Sequence, residues 1–164
     1  MTFQHDRQRF PPRTGGFPPS RDPTRQAPSL DPNYLKDGYF DQKRNLLPEV
    51  IQKWPEERAK ALRREQPKLT STQLRRFFNR ARILERQLKS GKPFDRLKEE
   101  ILNLKVIAVA AAGRGTAPEL FKQIMERNVE LAVQSEDAFM RGFLTHMQSL
   151  VAYLKYEEER EKRR

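Results

Sequence analysis

Between Pro93 and Gly115 the chain carries an apolar repeat that only a helix can use. Pro93 suits a first helical position, where its missing N–H costs nothing, and Phe94, Leu97, Ile101, Leu104, Ala108 and Ala111 then recur at helical spacing as one stripe. From Ile101 onward Leu102, Val106, Ile107, Val109 and Ala110 add apolar side chains around the rest of the circumference. A helix apolar all round is a buried one, so this segment is expected at the centre with others packed about it. It closes in Gly113-Arg114-Gly115, where glycine takes a left-handed conformation and an arginine is left on the turn.

Other segments repeat the pattern. A first helix can start at Pro48 and bury Val50, Ile51, Trp54, Ala61 and Leu62; Pro55 either kinks it or marks its true start, and it ends before Pro67. Thr70-Ser71-Thr72-Gln73 has capping-box spacing, and Leu74, Phe77, Phe78, Ala81, Leu84 and Leu88 follow as a buried stripe that stops at Ser90-Gly91. Pro118 opens a helix with Leu120, Phe121, Ile124, Met125, Val129 and Leu131 inward. After a break and new cap at Ser135-Glu136-Asp137, a last helix buries Phe139, Phe143, Met147, Leu150, Val151 and Leu154 and runs out into the charged end Glu157 to Arg164. No β-period alternation survives. The expected fold is all-α: a compact bundle of about five helices over 31–164, antiparallel neighbours joined by short links. From Asp31 to Leu47, Tyr34, Tyr39 and Phe40 alternate with turn formers, as in a loop packed on such a bundle. Residues 1–30 hold six prolines among scattered arginines, too little apolar surface to offset ordering entropy, and read as a disordered Pro-rich basic arm.

Charge narrows the partners. Of 164 residues, 33 are Lys or Arg against 22 Asp or Glu, a net charge of +11, which attracts polyanions, nucleic acid first and anionic membranes second. No run approaches the ~20 apolar residues that span a bilayer and the start lacks the apolar core of a signal peptide, so a soluble cytoplasmic protein is expected, with no membrane partner. The absence of cysteine excludes disulfides and thiolate zinc sites. His5 and His146 are the only histidines, too few for a triad or metal cluster, and His146 is expected as a surface or half-buried packing residue. The acids Glu99-Glu100 and Glu157-Glu158-Glu159 are consecutive, so they fan around their helices and should be solvated. No glycine-rich phosphate loop is present. No catalytic residue, metal ligand or cofactor is therefore assigned.

The local imbalance is sharper. Lys68, Arg75, Arg76, Arg80, Arg82, Arg86, Lys89 and Lys92 face a single acid, Glu85. At the turn angle of an α-helix Arg75, Asn79, Arg82 and Arg86 fall within roughly 60° of one another, opposite the buried stripe, with Arg76 and Arg80 along one flank. Like charges at that spacing repel, so a ligand outside the helix should neutralise them. Arginine forks suit phosphate oxygens, and one such row can follow several phosphates without reading sequence. Phe77 and Phe78 point inward, which favours backbone contact over base stacking. Arg114 on its glycine turn is a second candidate. Lys68 and Lys92 bound the basic stretch and complete the expected RNA-binding set.

Taken in order, Leu69-Thr70-Ser71-Thr72-Gln73-Leu74-Arg75-Arg76-Phe77-Phe78, Lys92-Pro93-Phe94 with Leu97-Lys98, Ala112-Gly113-Arg114, Asn128-Val129-Glu130-Leu131-Ala132-Val133 and Val151-Ala152-Tyr153 resemble the small all-helical subunit of the type III-A CRISPR effector, the Csm complex. The resemblance covers about Tyr39 to Tyr156. It implies a five-helix bundle in several copies, stacked head to tail along guide RNA and single-stranded target RNA beside the backbone and large subunits, with catalysis left to those subunits. By position it places RNA contacts on Arg75, Arg76, Arg80, Arg82 and Arg114. The expected function is a non-enzymatic RNA-binding scaffold. A helical DNA-binding regulator using a helix-turn-helix-like element near Gly113, and a module that binds an acidic protein, stay open beside it.

Overall fold

The computed structural model describes residues 28–164, so the reading of the chain before Pro28 as a basic arm lies outside the described residues. A one-turn helix α1 (Pro48–Ile51) leads into α2 (Lys53–Arg64), followed by α3 (Ser71–Lys89), α4 (Phe94–Gly113), α5 (Glu119–Ala132), a π-helical turn (Ala138–Phe143) and α6 (Leu144–Lys162). Pro55 sits in the first turn of α2, where no intrahelical N–H is needed, so the proline pattern marks the true start. At α3 the Thr70 hydroxyl accepts from the Gln73 N–H at 3.1 Å and the Gln73 side chain accepts from the Thr70 N–H at 2.9 Å, a complete capping box. Ser135 caps the turn that follows α5, its hydroxyl accepting from the Ala138 N–H. The positive φ that closes α4 belongs to Gly115, at 69°, while Gly113 is its last helical residue.

The centre of the bundle is α6 and the π turn. Phe139, Phe143, Met147, Leu150 and Leu154 are wholly buried there, and α1, α2 and α3 pack against α6 while α5 packs on the turn. The Pro93–Gly115 segment is instead a flank: α4 rests on α5 and α3 through Leu97, Ile101, Leu104 and Ala108, and Leu102, Val106 and Val109 are 48%, 59% and 40% exposed. A single four-residue stripe is enough to seat it, and isolated valines and leucines are tolerated on a surface, which the all-round criterion overlooked. Ile51, assigned above to the buried side of the first helix, is 40% exposed because the break at Gln52 turns α1 relative to α2. Nor are all neighbours antiparallel. Val50 meets His146 and Arg63 meets Glu161 at nearly constant sequence separations of 96 and 98, so α2 runs parallel to α6.

The loop before α1 is held by a buried polar chain. Val50's carbonyl accepts from His146 Nδ1–H at 2.7 Å, which leaves Nε2 to accept from the Tyr34 hydroxyl at 2.6 Å. Tyr34 in turn accepts from the Asn128 amide at 2.8 Å, and Asn128 Oδ1 accepts from Tyr39 at 2.8 Å. His146 is therefore a fully buried linchpin, correcting its expected place at or near the surface. Its partners lie about a hundred residues away, so nothing local reveals them. Desolvation by burial pushes its pKa down to about 4. The unfolded chain, with an ordinary histidine, then binds more protons than the folded one between about pH 6.5 and 4, and stability falls as pH falls through that window. From pH 7 to pH 5 a loss of about 2 kcal/mol is expected, read as a drop in the urea midpoint at unchanged slope.

Candidate nucleic-acid interface

Helix α3 sets the site. Its apolar positions Leu74, Phe77, Phe78, Ala81, Leu84 and Leu88 are buried, which turns Arg75, Arg76, Asn79, Arg80, Arg82 and Arg86 outward, all exposed. Among the described residues Arg75, Arg76, Arg80 and Arg86 enter no ion pair. Arg82 differs: it meets Glu85 at 2.7 Å and lies 5.8 Å from the centroid of the Phe78 ring. Glu85 also takes Lys89 at 2.7 Å, so this one largely buried acid, 7% exposed, serves two cations at the far end of the row.

The bounding lysines are tied down. Lys92 Nζ donates to Glu100 at 3.0 Å and to Gln87 at 3.2 Å. Lys68 reaches Glu161 at 3.1 Å, where Arg63 also binds at 2.6 Å. The hydrogen-bonded guanidinium of Arg63, helped by Lys68, holds the Glu161 carboxyl down to about 2. Beside it Glu158 is buried, accepting from the Ser71 N–H at 2.7 Å and from the Ser71 hydroxyl. That corrects its expected solvation: a carboxylate at the N-terminus of α3 meets an unpaired N–H, the positive end of the helix dipole and Arg63 at 3.6 Å. Fanning puts Glu157, Glu158 and Glu159 on different faces, and one of those faces is inside.

Arg114 is exposed on the turn after α4, where it caps the helix. The turn is fastened to the start of α3, since Gln73 Nε2 donates to the Thr116 carbonyl at 3.2 Å and Phe77 meets Phe121 edge-on at 5.3 Å. Two candidates about forty residues apart in sequence thus share one end of the row. What spacing could not find are Glu161 and Glu158, whose partners Lys68 and Ser71 lie 93 and 87 residues away.

The arrangement is a line of exposed cations whose forks match the geometry of phosphate oxygens. Among the described residues no group of three or more histidine or acidic side chains could hold a metal ion, and no helix is long and apolar enough to cross a membrane. A phosphate strand laid along α3 would meet Arg75, Asn79 and Arg86 in line, Arg76 and Arg80 beside them, and no exposed aromatic on which a base could stack. Compared with known families, residues 47–160 match the family model described as Csm2 Type III-A. No curated protein and no solved structure matches the chain. The matched span includes every cation of the candidate interface from Lys68 to Arg114.

Proposed function

Since the chain belongs to the Csm2 Type III-A family, and is a small subunit of the type III-A Csm complex, we propose that it is a non-enzymatic scaffold that holds RNA by its backbone along α3. The observation that carries this reading is the row Arg75, Arg76, Arg80 and Arg86, exposed and unmatched by any carboxylate of the described chain. Each guanidinium offers two parallel N–H donors to a phosphate and cannot lose its charge near neutral pH. The buried half of α3 fixes the backbone spacing of the row, so on binding it is the arginine side chains that are left to order. In this role the subunit keeps guide RNA and single-stranded target RNA extended, in copies stacked head to tail beside the backbone and large subunits, while cutting takes place elsewhere.

A regulator that reads duplex DNA would need α5 to enter a major groove. Only Glu130 among Glu119–Ala132 is exposed rather than buried or half-buried, and an acidic residue there repels phosphate. The geometry therefore favours the RNA scaffold.

Reversing two unpaired members, Arg75→Glu with Arg86→Glu, removes two phosphate contacts and adds repulsion. Binding to single-stranded RNA should weaken at every sequence tested, and the slope of log K against log salt should become shallower by about 1.4, at about 0.7 per lost contact. A folded variant that binds with the native slope would exclude α3 as the phosphate track.

A further inference from the structure

The row on α3 does not stop where the helix begins. At that end two clefts of about 570 and 400 Å³ adjoin, sharing Arg63 and Glu161 in their walls. The first is floored by Thr70, Ser71 and Thr72, and Thr72 lies three and four residues before Arg75 and Arg76, hence directly beside them on the helix surface. The second runs between the last turns of α2 and α6 and is walled by five cations, Lys60, Arg63, Arg64, Arg160 and Arg164. Two carboxylates face them, and those are already committed: Glu161 to Arg63 and Lys68, Glu157 to Arg160 at 3.0 Å. Lys60 is held by Glu56, from outside the cleft. Arg64 and Arg164, both exposed, form no ion pair among the described residues.

We infer that the RNA strand carried by α3 continues past Thr72 into this α2–α6 groove, where Arg64 and Arg164 take further phosphates. The inference rests on the proposed reading of α3 and lengthens its track. Adjacency is what favours RNA over an acidic peptide: the groove shares Arg63 and Glu161 with the cleft floored by Thr72, the helical neighbour of Arg75 and Arg76, so the strand proposed for α3 can run on into it. The carboxylates within it have a positive role, since they fix the forks of Arg63 and Arg160 and leave the surplus charge at the two unpaired arginines. Parallel packing of α2 on α6 brings the last turns of both helices, each rich in Arg and Lys, to the same end of the bundle, a convergence that an antiparallel pair would not produce.

Full-length protein, titrated against a labelled uridine homopolymer at several salt concentrations, separates the cases. Arg64→Gln with Arg164→Gln should flatten the salt slope by about 1.4, and affinity should stop rising at a shorter RNA length than for the native chain. Arg75→Gln with Arg86→Gln, the control on α3, should flatten the slope alone. A flattened slope in the α3 variant, with slope and length dependence both native in the groove variant, would overturn the groove and leave the scaffold reading standing. Native behaviour in both variants would overturn the two together. Loss of poly-glutamate binding by the groove variant, with RNA binding intact, would also reject the inference, showing the groove to be a protein-docking site. Both arginines are exposed surface residues, and an unchanged melting midpoint for the groove variant checks that folding is preserved.

Discussion

Gly142→Ala is expected to cost the folded state about 3 kcal/mol or more, enough to leave much of the protein unfolded at growth temperature. A Cβ at this position would lie 2.2 Å from Cδ2, 2.5 Å from Cγ and 2.9 Å from Cβ of Tyr39. Helix propensity alone argues the other way, since alanine is favoured over glycine in a helix interior by about 1 kcal/mol. Steric overlap wins because Tyr39 has no retreat: it is 2% exposed and hydrogen-bonded to Asn128. The atoms struck include its ring root, so no rotation of a flexible tip relieves the contact. Gly113→Ala is the control. Nothing lies within 4 Å of a Cβ there, and the residue is helical, so that variant should be neutral or gain up to about 1 kcal/mol. The melting midpoint of the Gly142 variant should fall well below that of the Gly113 variant, or the first should fail to give folded protein at all. Equal midpoints would mean that the π turn can open around Gly142 without penalty.

The same turn shows where local reading of the chain stops. The capping box at Thr70 and Gln73, the stripe of α3 and the glycine ends of α3 and α4 follow from residues within a turn or two of one another, and each stands where the pattern puts it. The outward arginines are legible for the same reason, because a buried stripe on one side dictates what faces the other. Ala138–Phe143 carries the apolar spacing of an ordinary helix, and the neighbour against which its Gly142 packs, Tyr39, lies a hundred residues upstream. His146 is lone and polar, and its burial depends on Tyr34 and Val50. Glu161 changes the site most: it neutralises Lys68 from the far end of the chain, so one end of the basic stretch is quieter than its composition says. α4 fails in the other direction, since valine and alanine on its outer face satisfy a rule for burial that packing never enforces.

Asn128→Ala is the second large effect, and it tests whether the buried polar chain or the apolar core around it holds the loop before α1. Asn128 is wholly buried, donates to Tyr34 and to the Ile124 carbonyl at 2.8 Å each, and accepts from Tyr39. Truncation deprives both tyrosine hydroxyls of a partner and opens a void. Tyr34 retains His146, and Tyr39 retains only the Asn128 backbone carbonyl at 3.2 Å. One to three kcal/mol is typical for each buried group left short of a partner, so a loss of about 3 kcal/mol is expected in urea unfolding. Tyr39→Phe removes the donor and leaves the buried Asn128 Oδ1 without its partner, so it should cost about 1 to 3 kcal/mol. In the double variant Tyr39 no longer asks for a partner, so the two losses should fall short of their sum by about 1 kcal/mol. Strict additivity would mean that the Tyr39 to Asn128 bond contributes nothing and that shape alone seats the loop. None of the arginines of α3 makes a hydrogen bond to this chain of polar groups. Well below its lowered melting point the Asn128 variant should therefore bind RNA with the native salt slope, which separates the scaffold that positions the row from the row itself.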